Sequence, residues 1–324
     1  MNSAILGTGA YVPERVLTNA DLERMVETSD SWILERTGIR ERRLVQPGQA
    51  CSDLAIEAAK RALVAANVSP IDLGVILLAT CTGDTPLPAT ACLVQHRVGA
   101  TRAAACDISA ACCGFLYALA IGDAYIKSGM KHVLVIGSEV MSAITDWTDR
   151  NTCVLFGDGA GAVVLGRSEG ESRVLSTHLH ANGGISDLIY VPGGGSRDPA
   201  SPEVLEHKRC YIKMRGNETF KIAVKTMEEA IQEALKANWM IPQEMDLLIP
   251  HQANVRILRA VSQRLGIPEE KVMINLDRFG NTSAASIPLA LDQAVQEGRL
   301  KRGNKVVMAA FGAGLTWASA VVRW

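Results

Sequence analysis

The chain has 324 residues, of which 48% are hydrophobic and 21% are charged, and its formal net charge is −1. This is the composition of a globular protein with room for two cores, and because it has no domain-wide basic excess we expect no nucleic-acid partner. No long apolar run and no signal-peptide pattern occur, so we expect a cytoplasmic protein without a membrane segment.

The first predicted elements are a strand and a helical segment. Residues 4–9 predict a strand that ends in a glycine turn, but the Gly-x-Gly lacks a third glycine, which argues against dinucleotide binding. A cap at Thr18 is expected to begin the helical segment 18–36, in which Trp32 and Arg36 share one face. Such a pair is typical of a core edge beside a solvated charge, and it could also stack on a base and neutralise a phosphate.

The following segments alternate between helices and strands. The pattern predicts a helix at 52–66, a strand at 75–80, a proline-containing loop at 81–88, a helix at 89–98 and, further on, a strand at 131–137.

The segment 105–124 is predicted to pass from a short strand through a small-residue turn into a helix. This helix is apolar on nearly every side, so it should be buried. Cys112 and Cys113 lie in its first turn, where free N–H groups and the helix dipole favour a thiolate, the nucleophilic form of cysteine. Free cysteines are also common packing residues, and helical periodicity does not decide which of the two would react.

The eight cysteines include no Cys-x-x-Cys pair and no spacing typical of metal ligands. We therefore expect no metal site and no disulfide framework.

Two glycine-rich segments follow. Residues 156–161 are predicted to form a glycine turn that leads into a strand. No Gly-Lys-Ser or Gly-Lys-Thr follows, as a phosphate loop would require, so we interpret these glycines as sites of close backbone packing. The segment 193–209 is predicted to be an exposed loop.

The second half of the chain repeats the first at low similarity. Three segments that contain strands have counterparts at a nearly constant offset, which predicts two similar α/β halves, 1–172 and 173–324. The alternation of strands and helices predicts mostly parallel sheets covered by helices. If the halves pack face to face, the small-residue helices at 112–124 and 283–295 meet at the centre.

Two polar motifs of the second half are candidates for a site shared with the cysteine. His251 ends an apolar strand, and Asn281 opens the helix that mirrors the cysteine helix. Each alone is typical of a structural histidine or a turn, but together, at positions related by the repeat, they favour a site. An imidazole and a carboxamide N–H suit an oxygen that becomes negative. The loop 311–314, expected after the last strand, could supply a second oxyanion hole, which predicts acyl transfer through a thioester.

Residues 107–115, 250–254 and 280–285 closely resemble the three active-site motifs of the 3-oxoacyl-(acyl-carrier-protein) synthase III family. These are the initiating condensing enzymes of bacterial type II fatty-acid synthesis, in the thiolase-like superfamily. The similarity covers essentially the whole chain. It implies a thiolase-like α/β fold with a layered α-β-α-β-α core.

The resemblance implies a role for each polar group. Cys112 would accept an acyl group from acyl-CoA, and His251 and Asn281 would hold the thioester oxygen while malonyl-acyl-carrier-protein loses CO₂. The carbanion would then attack the acyl thioester, whose oxyanion would lie on the N–H groups of Cys112 and Ala313. Phe311 would lie beside the decarboxylation site. No cofactor is implied.

The resemblance also implies binding residues for both substrates. The positions that match coenzyme A binding are Trp32, Arg36, Arg150 and Asn254. The positions that match the docking surface for acyl carrier protein are Lys221, Arg256 and Arg264. Leu87 matches the residue that closes the partner's acyl pocket in a homodimer, where the best-known members have phenylalanine, so a longer or branched starter acyl group could fit.

Two alternatives stay open. A synthase-III-like enzyme of secondary metabolism would share the motifs but use other acyl donors or carriers. A non-catalytic relative could bind coenzyme A or a carrier protein as a scaffold, but the intact Cys112, His251 and Asn281 argue against it. Thiolases are excluded because no cysteine follows Cys210, and elongating synthases because they place a histidine where Asn281 stands.

Overall fold

The computed structural model describes residues 2–324. The strands are β1 Ser3–Tyr11, β2 Arg15–Thr18, β3 Glu41–Leu44, β4 Val75–Ala79, β5 Ala104–Ile108, β6 His132–Val140, β7 Asp158–Arg167, β8 Arg173–Ala181, β9 Ile189–Tyr190, β10 Lys213–Met214, β11 Leu247–Pro250, β12 Lys305–Gly312 and β13 Thr316–Arg323. The α-helices are α1 Asn19–Glu23, α2 Asp30–Thr37, α3 Cys51–Ala66, α4 Thr90–Val98, α5 Gly114–Lys127, α6 Arg150–Cys153, α7 Pro202–Glu206, α8 Gly216–Ala237, α9 Val255–Leu265, α10 Leu276–Phe279 and α11 Ser286–Gln296.

Two mixed sheets form the framework. One has the strand order β1-β7-β6-β4-β5 and the other β11-β12-β13-β8. Only the pairs β4–β5, β4–β6 and β11–β12 are parallel. The prediction of mostly parallel sheets was wrong because β6 and β12 are each followed by a strand that turns back beside them, which gives antiparallel pairs with β7 and β13.

The two halves have corresponding elements. The series β4, α5, β6, β7 of the first half matches β11, α11, β12, β13 of the second. Both central helices are preceded by a 3₁₀ turn whose first residue has left-handed backbone, Ala111 with φ 46° and Ser283 with φ 48°. The connection between β7 and β8 includes the predicted division at 172, which stays a prediction.

The helices α5 and α11 lie between the sheets, as their apolar sequences predict. Phe115 and Leu119 of α5 and Ile287 of α11 are fully buried in one cluster with residues from both sheets. The other face of the first sheet is covered by α3 and α4, and the other face of the second sheet by α8 and α9. The layered α-β-α-β-α arrangement is thereby confirmed.

The glycine run 156–161 is extended rather than turned, because Asp158 onward belongs to β7. A Cβ added at Gly161 would lie 2.6 Å from the Leu289 backbone nitrogen of α11. Only glycine allows this helix and strand to approach so closely, which confirms the packing interpretation.

The remaining helical and loop predictions hold with small changes. The segment 18–36 is divided into α1 and α2, and the Thr18 hydroxyl caps α1 by accepting from the Asp21 amide at 3.2 Å. The segment 193–209 is largely exposed but includes α7, which buries Val204. Among the described residues, none of the helices is long and apolar enough to cross a membrane.

Candidate active site

A cavity of about 1270 Å³ lies between the two halves and brings most of the predicted site residues together. Its lining includes Cys112, His251, Asn281, Phe311 and Ala313 at buried or half-buried positions. It also includes Trp32, Arg36, Asn254, Lys221 and Arg256, from α2, α8 and α9 and the residue that caps α9. A second cavity of about 490 Å³, beside the antiparallel pair β2–β3, contains none of the predicted residues.

Cys112 presents its thiol to this cavity, and Cys113 does not. Cys112 lies in the 3₁₀ turn Ala111–Cys113 that precedes α5, one turn earlier than predicted. Cys113 is fully buried, and its Sγ donates to the carbonyl of Thr316 in β13 at 3.4 Å. The side chains of neighbouring residues in such a turn point in different directions, and here only the first reaches the cavity.

The surroundings of Cys112 favour the protonated thiol over the thiolate. Burial raises its pKa to about 12, the neighbouring Ser283 hydroxyl lowers the pKa, and the nearby Glu139 carboxylate raises it further. The prediction of a readily ionised thiol was therefore wrong, because the loss of solvent outweighs the favourable position before a helix. The proton must leave as the sulfur attacks.

His251 follows β11 at the end of the sheet, and burial lowers the pKa of its imidazole to about 4, so the ring is neutral. Its backbone N–H donates to the carbonyl of Ala309 at 2.8 Å. Its Nδ1 lies 2.7 Å from the hydroxyl of Ser286, which accepts from the Gln252 amide at 3.4 Å. We assign the Ser286 proton to the bond with Nδ1 and the ring proton to Nε2.

Asn281 is held in place by both halves of the chain. Its backbone N–H donates to the carbonyl of Leu155 at 2.8 Å, and its carbonyl accepts from the Gly157 amide at 3.1 Å. Its side-chain Oδ1 accepts from the Ser283 amide at 2.9 Å. Because the oxygen is occupied, the carboxamide NH₂ is the group left to donate into the cavity.

The turn after Phe311 lies directly against Cys112. It joins β12 to β13. The sequence predicted this loop after the last strand, but residues 316–323 form one more strand. A Cβ at Gly312 would lie 2.8 Å from the backbone nitrogen of Cys112, so glycine is needed for this approach. The backbone after Gly312 is thereby held beside the thiol.

The residues predicted to bind coenzyme A form one group at the rim. The guanidinium carbons of Arg36 and Arg150 lie 5.5 Å and 4.6 Å from the ring centre of Trp32. Arg150 contacts Trp32 but does not line the cavity. Asn254 donates to the carbonyl of Arg36 at 2.9 Å, which links α2 to the start of α9.

The three basic residues predicted to dock a carrier protein differ in their surroundings. Lys221 and Arg256 are exposed and line the cavity mouth, and the Arg256 guanidinium lies 5.5 Å from the ring centre of Phe220. Arg264 lies outside the cavity and pairs with Glu228 at 2.9 Å. Leu87 is also outside it, with 86% of its surface exposed.

Two further polar groups at the site were not predicted. Glu139 ends the apolar part of β6, and Ser283 follows Asn281. A carboxylate at the carboxyl end of an apolar strand is a signal that could have identified Glu139. Among residues 2–324, no group of His, Cys, Asp or Glu is arranged to hold a metal ion.

The chain is similar to proteins of one family over its whole length. Family models of 3-oxoacyl-(acyl-carrier-protein) synthase III and of its C-terminal region match residues 106–183 and 235–324. A beta-ketoacyl-(acyl-carrier-protein) synthase III of Caldanaerobacter subterraneus subsp. tengcongensis is 54% identical, covering 99% of this chain and 98% of the relative.

Solved structures give the same result. The crystal structure of 3-oxoacyl-(acyl-carrier-protein) synthase III from Aquifex aeolicus VF5 has a TM-score of 0.93 at 50% identity, and covers 99% of this chain and 100% of that one. The beta-ketoacyl-(acyl-carrier-protein) synthase III from Thermus thermophilus has a TM-score of 0.92 at 44% identity, and covers 99% of each chain.

Proposed function

Since the chain belongs to the 3-oxoacyl-(acyl-carrier-protein) synthase III family, we propose that Cys112 carries its acyl group and that His251 and Asn281 assist decarboxylation. The protein is a condensing acyltransferase that initiates fatty-acid synthesis. The observation that carries the residue assignment is the single cavity into which both halves of the chain direct a thiol, a neutral imidazole and a carboxamide.

In the first half-reaction, the Cys112 sulfur attacks the carbonyl carbon of an acyl-CoA. The tetrahedral oxyanion is stabilised by the backbone N–H groups of Cys112 and Ala313, which Gly312 holds close together. The C–S bond to coenzyme A breaks, its thiolate takes up a proton in place of the one that Cys112 lost, and the acyl group stays on the Cys112 sulfur.

In the second half-reaction, malonyl-acyl-carrier-protein takes the place of coenzyme A. The Nε2–H of His251 and the carboxamide of Asn281 donate to its thioester oxygen, and they stabilise the enolate that forms as CO₂ leaves. The enolate carbon attacks the acyl thioester, which yields 3-oxoacyl-acyl-carrier-protein and frees the Cys112 thiolate, and a proton from solvent restores the thiol. A neutral histidine suits this role because it donates without adding a permanent charge.

The rim residues supply the binding energy for both substrates. Trp32 stacks on the adenine, and Arg36 and Arg150 meet the phosphates, once the Arg150 guanidinium moves off the indole face. Lys221 and Arg256 attract the acidic carrier protein to the cavity mouth, although the net charge of the chain is only −1.

A homodimer is part of the proposal. The strand β5 is an open edge of the first sheet, and Leu87 is 86% exposed in the single chain. A second copy of the chain would pair with the open strand edge and cover the exposed leucine. The Leu87 of that copy would close the acyl pocket. The reaction uses no metal or cofactor, and a cytoplasmic location fits its substrates.

The test separates the two half-reactions in three variants. Cys112→Ala should form no 3-oxoacyl product but should still release CO₂ from malonyl-acyl-carrier-protein. His251→Ala and Asn281→Ala should lose CO₂ release yet still accept an acyl group from acyl-CoA. Radiolabelled CO₂ and the mass of the acylated protein are the two readouts. Condensation at the wild-type rate in Cys112→Ala would overturn the assignment.

A further inference from the structure

A buried carboxylate at the site has no role in the chemistry described so far. Glu139 lies near the end of β6 with 0% of its surface exposed. Its hydrogen-bond partners within residues 2–324 are hydroxyls, a thiol and a backbone amide, and none of them is a cation. A carboxyl group is costly to bury without a cation, so its place in the site calls for an explanation.

One oxygen of Glu139 is held by the residues that follow β4. Oε2 accepts from the Cys81 amide at 3.1 Å and from the Thr82 hydroxyl at 2.5 Å. The Thr82 oxygen itself accepts from the Val140 amide at 2.8 Å, so the Thr82 proton is directed at Glu139. These bonds orient the carboxylate so that Oε1 faces Ser283.

Ser283 begins the 3₁₀ turn Ser283–Ala285 that follows Asn281. Its hydroxyl donates to Glu139 Oε1 at 3.0 Å, and its backbone N–H donates to Oδ1 of the Asn281 side chain at 2.9 Å. Both bonds are buried, so water does not compete for them. Ser283 therefore connects the buried carboxylate to one member of the site.

The bond to Asn281 decides which end of its carboxamide faces the substrate. A backbone N–H can only donate, so the carboxamide must turn its oxygen toward Ser283 and its NH₂ toward the cavity. In the reverse orientation the carboxamide oxygen would face the thioester oxygen, and the two would repel each other. The position of the Ser283 amide is therefore a condition for the role of Asn281.

The backbone of Ser283 is left-handed, with φ 48°. A residue other than glycine keeps this conformation only where its surroundings hold it, and the bond from the Ser283 hydroxyl to Glu139 is such a contact. The matching residue of the first half, Ala111, has φ 46° without a hydroxyl. Loss of the bond to Glu139 should therefore shift the turn rather than unfold it.

We propose that Glu139 and Ser283 are positioning residues for decarboxylation: the buried carboxylate holds Ser283, and the Ser283 amide holds the Asn281 carboxamide with its NH₂ toward the thioester oxygen. The proposal rests on the proposed function, because it explains how one group of that same site is oriented. The enolate oxygen carries more charge than the thioester oxygen of the bound substrate, so a misplaced carboxamide should lower kcat and leave KM nearly unchanged.

The test measures CO₂ release from malonyl-acyl-carrier-protein in Ser283→Ala and Glu139→Gln. Ser283→Ala removes the bond to Glu139. In Glu139→Gln the new amide must keep its oxygen toward the Cys81 amide, so its NH₂ points at Ser283 and cannot accept the hydroxyl proton. We expect kcat for CO₂ release to fall about tenfold in each variant, with KM and the rate of Cys112 acylation within about twofold of the wild type.

The double variant shows whether Glu139 acts through Ser283. If it does, Glu139→Gln combined with Ser283→Ala should release CO₂ about as fast as Ser283→Ala alone. Losses that multiply in the double variant would overturn the route through Ser283.

Ser142→Ala is the matched control, because the Ser142 hydroxyl donates to another buried carboxylate, Asp158, at 2.6 Å. It should lower the midpoint of urea unfolding as Ser283→Ala does, but keep the wild-type rate of CO₂ release. An equal loss of CO₂ release in Ser142→Ala would overturn the inference, because lower stability alone would then explain the effect.

The outcomes also separate this inference from the proposed function. A wild-type rate of CO₂ release in either Ser283→Ala or Glu139→Gln, with Asn281→Ala inactive, would overturn the positioning role and leave the proposed function intact. A wild-type rate in Asn281→Ala would overturn the proposed function itself.

Discussion

Gly312→Ala tests whether the turn after β12 forms the oxyanion hole. The added methyl carbon would lie 2.8 Å from the backbone nitrogen of Cys112, 3.1 Å from its Cβ and 3.3 Å from its Cα. Two of these three atoms belong to the backbone, so no side-chain rotation relieves the contact. The turn and the nucleophile must move apart.

This separation would move the N–H groups of Cys112 and Ala313 apart, so that they no longer donate together to the oxyanion. Loss of one oxyanion donor typically lowers kcat by about 10²–10³, or roughly 2.7–4 kcal/mol. We therefore expect condensation by Gly312→Ala to fall about a hundredfold. Release of CO₂ from malonyl-acyl-carrier-protein should change much less, because His251 and Asn281 carry that step.

The assay compares condensation and CO₂ release at saturating substrate, with thermal unfolding as a check on the fold. Gly195→Ala is the matched control, because a methyl group there meets nothing within 4 Å, and it should keep full activity. If the Gly312→Ala protein is folded and condenses at the wild-type rate, the oxyanion assignment is refuted.

Three other predictions concern stability, docking and pH. Arg42 is fully buried and donates to the carbonyl of Val154 at 2.6 Å, so Arg42→Leu should lower the free energy of unfolding in urea by about 3 kcal/mol; an unchanged midpoint would contradict this. Arg256→Glu should reduce kcat/KM for the carrier protein about tenfold. Arg264→Glu should reduce it much less, because Arg264 is already paired with Glu228. Equal losses in the two variants would contradict the docking model. Because burial lowers the pKa of His251 from 6.5 to about 4, the unfolded chain binds the extra proton first as pH falls. Wild type should thus lose about 2 kcal/mol more stability than His251→Gln between pH 7 and 5, and equal losses in urea unfolding at the two pH values would contradict that pKa.

Much of the fold could be predicted because its signals are local. Apolar runs gave the strands β4, β6 and β11, and the uninterrupted apolar character of 115–121 gave a helix buried between sheets. The repeat was detectable because both halves use small residues where the central helices meet.

The direction of the strands could not be predicted in the same way. A strand's sequence does not state which neighbour it pairs with. Residues 141–157, between β6 and β7, are long enough to join strands in either sense, and the turn at 313–315 forces an antiparallel pair only once β13 is recognised as a strand. The loop 311–314 was misplaced for the same reason, because the strand that follows it was not predicted.

The site was predicted in its residues but not in its electrostatics. Separate sequence motifs identified Cys112, His251 and Asn281, and the structure shows that all three line the same cavity. The charge state of the thiol depends on burial and on Glu139, which are properties of the folded molecule. A sequence shows that a cysteine precedes a helix, but not how much solvent reaches it.

The central claim is that Cys112 is the acyl acceptor, and mass spectrometry tests it directly. The protein would be incubated with acyl-CoAs from acetyl to branched five-carbon groups, and the intact mass and the modified peptide determined. We predict a single acyl adduct on Cys112, with a longer or branched group preferred if Leu87 shapes the pocket. An adduct on Cys113, or none with any acyl-CoA, would contradict the account.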